Sequence, residues 1–193
     1  MLDKELLTLI GILLAAAAYA RYVFSIFKGQ TRPHFFSYLS WGIAEATIFA
    51  VQLIGDAGIG SWITGFNALA VFSIAGFAFV KGDRKFNLTD WISFIASILA
   101  LFLWWVTENP LTAVVLLILS DAAAYSITFR KTYYRPYSET LISYFLGWCK
   151  SVIALLALEN YAVSNWLFLG YLAVISMCFI IMTLIRRSQL SRK

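Results

Sequence analysis

Lys28-Gly-Gln-Thr-Arg-Pro33 and, 103 residues further on, Lys131-Thr-Tyr-Tyr-Arg-Pro136 are the two stretches that decide the fold. Each lies between two long apolar runs and carries its lysine, arginine and proline at the same spacing. The same gapless shift lays Tyr22 on Tyr125, Ser40 on Ser143 and Ser61 on Ser164. It also lays Leu69-Ala70-Val71-x-Ser73 on Leu172-Ala173-Val174-x-Ser176. Sixteen of the first 84 positions are identical in this register, against roughly six expected by chance for such a composition. The chain therefore reads as two copies of one three-helix unit, at 1–86 and 108–193, joined by a single helix at 87–107.

The apolar runs fall at about 6–27, 34–55, 60–80, 88–107, 110–129, 137–158 and 161–185, each near the roughly 20 residues that a spanning helix needs. Pro33, Pro110 and Pro136 stand at the starts of runs, where a missing N–H costs nothing, and no proline falls inside one. Asn87, Thr89 and Asp90 offer an N-cap for the fourth helix. Hydrophobic residues make up 61% of the 193 and charged ones 13%, too little polar surface to cover a globule in water. A soluble enzyme and a disordered chain are both excluded by this composition. The first run is read as a membrane helix and not a cleaved leader, because its flank Asp3-Lys4-Glu5 is net acidic and the repeat needs it. Cys149 and Cys178 lie in apolar runs and read as packing residues, and the single His34 cannot build a metal site alone.

Orientation follows from the distribution of Lys and Arg. The odd-numbered loops and the C-terminus hold Lys28, Arg32, Lys81, Arg84, Lys85, Arg130, Lys131, Arg135, Arg186, Arg187, Arg192 and Lys193, while the other face holds Lys4 alone. That places the N-terminus outside and the C-terminus in the cytoplasm, with the inner membrane of a prokaryote as the expected location. The basic loops are explained by topology, so the net charge of +5 calls for no nucleic acid. Trp62, Trp104 and Trp105 at the outer ends and Tyr133 and Tyr134 at the inner end suit interfacial belts.

The expected whole is an all-α polytopic membrane protein of seven transmembrane helices. Three helices reverse direction, so one linker helix must intervene before the second triplet can start from the same side. The result is a 3+1+3 parallel repeat about an axis along the membrane normal, with binding expected near the midplane between repeats. This plan, with its basic step from first to second helix in both halves, resembles the PQ-loop superfamily. That group includes SWEET and SemiSWEET sugar carriers, nicotinamide riboside carriers and KDEL-type retrieval receptors. The superfamily's Pro-Gln dipeptide is absent: the corresponding positions read Ala20-Arg21-Tyr22 and Ala123-Ala124-Tyr125. Gly42, Gly65, Gly147 and Gly170 stand as candidate hinges in place of the family's prolines. The resemblance implies a pocket tryptophan on the sixth helix, a position that Trp148 occupies. The carriers' asparagine pair does not carry over, because Asn67 aligns with Gly170 and Asn165 with Trp62.

Four charges lie within the runs, Arg21, Glu45, Asp121 and Lys150, each costing on the order of 3 kcal/mol at mid-helix. They should face the interior and pair. Glu45 and Lys150 sit near the centres of the second and sixth helices at nearly matched depth, since the repeat register puts Glu45 on Trp148. Their two readings are a substrate or proton path and a structural ion pair. Arg21 and Asp121 lie nearer the inner side and extend this network. Trp41 and Trp148 flank the same depth, where an indole face can stack on a solute or a cation. Asn67 completes the candidate substrate-binding set, its plainer role being an interhelical hydrogen bond. Arg32-Pro33 and Arg135-Pro136 are helix starters bearing topology charges and candidate parts of a cytoplasmic gate.

No zinc-protease, hydrolase or phosphate-loop motif occurs, so no enzymatic activity and no cofactor is expected. The sequence points to a carrier for a small sugar-, nucleoside- or amino-acid-like solute, working by alternating access in the bilayer. A receptor or interaction subunit on the same fold is the competing class. Two internal repeats would let a monomer form one pathway, with homo-oligomerisation left open.

Overall fold

A computed structural model describes residues 3–29, 33–81, 88–137 and 141–191. Arg32, Asn87 and the last two basic residues lie outside these, as do the side chains of Thr89 and Asp90. The described residues form seven helices: α1 (Lys4–Phe27), α2 (Phe35–Ile54), α3 (Ser61–Lys81), α4 (Leu88–Thr107), α5 (Pro110–Tyr134), α6 (Leu141–Ala157) and α7 (Val163–Ser191). Five of them, α1, α2, α3, α5 and α7, are long and apolar enough to cross a membrane. The architecture is that of an all-α membrane protein. At 17 residues α6 rises about 26 Å, a little less than a bilayer core of about 30 Å.

Local chemistry sets the boundaries. Asp3 caps α1 by accepting from the N–H groups of Glu5 and Leu6 at 3.0 and 3.2 Å. Asn109 caps α5 by accepting from Leu111 N–H at 3.0 Å, and Pro110 takes the first helical position. Pro33 and Pro136 lie outside their helices: His34 is the N-cap of α2, and Pro136 sits in the turn after α5. Hydroxyls inside the apolar helices turn back on their own backbones. Thr47 donates to Ile43 O, Ser151 to Gly147 O and Thr183 to Phe179 O, so they need no water at that depth.

The helices close a ring in the order α1–α3–α2–α4–α5–α7–α6, with α6 returning to α1. Within each group of three the last helix lies between the other two: α3 touches both α1 and α2, and α7 touches both α5 and α6. Contacts of α2 with α7 and of α3 with α6 cross the ring. On one side α1 meets α6 directly; on the other, α4 packs against both α2 and α5, which touch each other at the end of Val51 and Val114.

Of the four candidate hinge glycines, Gly42 and Gly65 serve packing, whereas Gly147 has open space around its Cα and Gly170 meets only Trp166 of its own helix. Gly42 of α2 lies against the Phe72 ring of α3, where an added Cβ would come within 2.7 Å, and Gly65 of α3 lies against Phe49 of α2, at 2.8 Å. The two contacts are reciprocal and draw α2 and α3 together, and both helices run unbroken through these positions. Gly42→Leu is expected to lose about 1–3 kcal/mol by overpacking, read as a lower melting temperature in detergent; an unchanged one would show that the ring of Phe72 moves freely. Cys149 is half-buried and Cys178 exposed, and both are free thiols.

Candidate functional site

The two ends of the ring differ. At the end carrying the α2–α3 and α6–α7 loops, one core cluster joins Ala57, Ile63, Ala157 and Leu158, and a second joins Ile48 and Val51 of α2 to Val114 of α5 and Phe168 of α7. Polar groups seal this end. Glu159 N–H donates to Ala57 O at 2.9 Å, and Gln52 Nε2 donates to Asn165 O at 3.1 Å. Asn165 Nδ2 donates to Gly55 O at 2.7 Å and to Asn160 O at 3.1 Å, and Asn160 Nδ2 donates to Gly55 O at 2.8 Å. Lys4 Nζ donates to the carbonyls of Leu156 and Leu158 at the C-terminal end of α6, at 2.6 and 2.9 Å. Such a cation answers both the orphan carbonyls and the negative end of the helix dipole.

In the other half of the ring lie two cavities. The first, of about 390 Å³, opens where α4 separates α2 from α5; Glu45 and Asp121 line it, with Trp41, Tyr125 and Tyr144 among its walls. The second, of about 450 Å³, lies between α1 and α6; Arg21 and Lys150 line it, with Tyr19 and Tyr22. The fold thus divides the four intramembrane charges by sign, acids to one cavity and bases to the other. Neither expected ion pair closes as a direct salt bridge. Asp121 instead accepts from Tyr171 Oη at 2.8 Å. Lys150 Nζ stands 6.0 Å from the centre of the Tyr19 ring. Glu45 lies within electrostatic reach of Asp121 in its own cavity and of Lys150 and Tyr19 across the ring.

The remaining candidates separate. Trp41 lines the acidic cavity and packs edge-on against Tyr38, ring centres 5.3 Å apart. Trp148 lies beside Phe145, 5.9 Å between centres, and lines neither cavity. Asn67 is buried on α3 with its Oδ1 unpartnered, away from both cavities. Of the candidate gate, Pro136 is tied down: its carbonyl accepts from Arg187 Nε at 2.8 Å, and Arg187 lies over the Tyr137 ring. Pro33 is buried and Arg135 exposed.

Three site residues escaped the sequence reading. Tyr171 holds Asp121, Tyr19 stands beside Lys150, and Tyr125 meets Ser176 Oγ at 3.3 Å. Tyr125 did carry a signal, as the repeat mate of Tyr22; Tyr19 and Tyr171 face alanines in that register, Ala122 and Ala68. No family model matches the chain, and neither a curated protein nor a solved structure shows significant similarity to it.

Proposed function

We propose that the chain is a membrane carrier for a small polar solute, built as two parallel three-helix repeats joined by α4 and moving its cargo by alternating access. PQ-loop kinship and seven membrane crossings, N-terminus outside, belong to the same proposal. One observation carries it: the two cavities are mates under the 103-residue shift. Leu14, Ala18, Arg21, Tyr22 and Ser25 of the α1 wall fall on Leu117, Asp121, Ala124, Tyr125 and Thr128 of the α5 wall. Ser143 and Gly147 of α6 likewise fall on Ser40 and Ala44 of α2. A scaffold without a pathway has no need to keep matched cavities at matched depth.

The ring order supports the same reading, since α3 and α7 hold equivalent middle places and α4 is the one helix without a mate. The charge distribution puts the sealed end outside, so this conformation is closed outward with its cavities in the cytoplasmic half. A receptor open to one side would share that closure; what separates the two is whether the seal must open.

Orientation is tested by labelling. With Cys149 and Cys178 replaced by serine, Asp56→Cys on intact cells should react with a membrane-impermeant maleimide, and Arg135→Cys should react only after permeabilisation. The reverse pattern would overturn the assignment of sides. Uptake into proteoliposomes then tests transport itself.

A further inference from the structure

The geometry points to a small organic cation bearing N–H groups as the cargo of the acidic cavity, with Glu45 and Asp121 as its counter-charges. The transport half of this inference rests on the carrier reading; the binding half does not.

The first argument is charge. Among the described residues two carboxylates line the cavity and no Lys, Arg or His does; Arg21 and Lys150 line the α1–α6 cavity instead. Asp121 has one hydrogen bond, from Tyr171, and Glu45 has none among the described residues. A carboxylate at membrane depth without an ion-pair partner in direct contact is costly, and neither of these has one among the described residues, Lys150 acting on Glu45 only from across the ring. A cationic cargo removes that cost when it binds. A sugar could donate to the carboxyl groups but brings no charge of its own to answer them, and an anion would be disfavoured beside them.

The second argument is hydrogen-bonding sense. Ser97 Oγ donates to the carbonyls of Ser40 and Ser93, at 3.3 and 2.9 Å, and Thr128 Oγ1 donates to Ala124 O at 3.5 Å. These hydroxyls have spent their protons on backbone and present lone pairs. Ser40 is 2% exposed, lines the cavity, and has no partner for its Oγ. A buried polar atom left without a partner is rare in native interiors, and this one belongs to a residue of the cavity wall. The lining thus includes two carboxyl groups and hydroxyls already donating to backbone, acceptors that suit a donor such as an ammonium group.

The third argument is the wall and the size. Trp41, Tyr125 and Tyr144 belong to the wall, and aromatic rings attract a cation that lies over their faces. A volume of about 390 Å³ lies at the small end of ligand pockets, which run from about 300 to 1,000 Å³. It suits a small amine and is too small for a folded peptide.

The test uses the full chain, purified in detergent for binding and reconstituted in liposomes for uptake. The probes are 1,4-diaminobutane, its uncharged counterpart 1,4-butanediol, and xylose. The diamine should raise the melting temperature with concentration, as a ligand of the folded state must, and the diol and xylose should not. Glu45→Gln should weaken diamine binding about tenfold or more. Trp41→Leu, on a half-exposed wall position, should weaken it by a smaller factor and carries the test should Glu45→Gln fail to fold. Diamine that binds equally well to both variants, or does not bind the parent protein, overturns the cation site. So does xylose that binds or is taken up indifferently to Glu45→Gln, an outcome that leaves transport standing. Diamine that binds in a Glu45-dependent way but never enters liposomes supports the site and removes the carrier reading.

Discussion

A disulfide across the sealed end is expected to abolish uptake. Ala57 and Glu159 belong to the α2–α3 and α6–α7 loops, and their backbones are joined directly by the 2.9 Å bond from Glu159 N–H to Ala57 O. Residues so joined lie within the range a disulfide can bridge. In a background lacking Cys149 and Cys178, the Ala57→Cys/Glu159→Cys protein would be oxidised, reconstituted and assayed, then reduced and assayed again. Alternating access requires these loops to part once per cycle, so the oxidised form should lose at least about 90% of its uptake and regain it on reduction. Ligand binding from the cavity side should survive oxidation. Full uptake in the cross-linked state would mean that the seal never opens and that solute does not pass this way. The single variants serve as controls, because neither can form the bridge.

Asn165→Leu is expected to destabilise the folded protein by about 1–3 kcal/mol. Asn165 is fully buried, and its Nδ2 serves the carbonyls of Gly55 and Asn160. Leucine keeps the branching at Cγ but has no donor, and its two methyls are bulkier than the amide, so crowding against Gly55 adds to the loss. Gly55 O would keep its bond from Asn160 Nδ2, whereas Asn160 O would lose the one that Asn165 supplies. A domain of this size loses roughly 2–4 °C of melting temperature per kcal/mol, which a detergent melt resolves. Asn160→Ala is the comparison: it sits on the exposed rim, and its loss leaves Gly55 O still bonded to Asn165, so the cost should be about 1 kcal/mol or less. Equal losses in the two variants would mean that the seal is held by the loop as a whole and not by the buried amide.

The helices were legible because apolar length and punctuation are local properties. Asp3, Asn109 and Pro110 stop and start helices through groups within three residues of themselves. The apolar runs therefore predicted six helix starts to within two residues, and the helix ends less closely: α5 and α7 run on by five and six residues through Lys, Arg and Tyr, which helices tolerate at an interface. The matched cavity walls were half-visible too. Tyr22 with Tyr125 and Ser40 with Ser143 stood out as identities, and they now line opposite cavities.

The pairing of charges was not legible, and the reason is rotational. Glu45 and Lys150 share a depth, and depth can be counted along a chain. Which way each side chain faces depends on what packs behind it. α4 enters between α2 and α5 and gives Glu45 a cavity wall beside Asp121, while α1 closes directly on α6 and turns Lys150 toward Tyr19. Trp148 shows the same limit, since its position two residues before Lys150 takes it out of both cavities and beside Phe145. The sequence by itself determined that this chain is helical and apolar, and where its helices begin. These follow from local hydrogen bonding and from the cost of polar groups in hydrocarbon. Only the tertiary structure decided that the acids and bases part company, that one end is sealed by buried amides, and that Ser40 is left unpartnered in a cavity wall, because each depends on helices far apart in sequence and on the asymmetric place of α4.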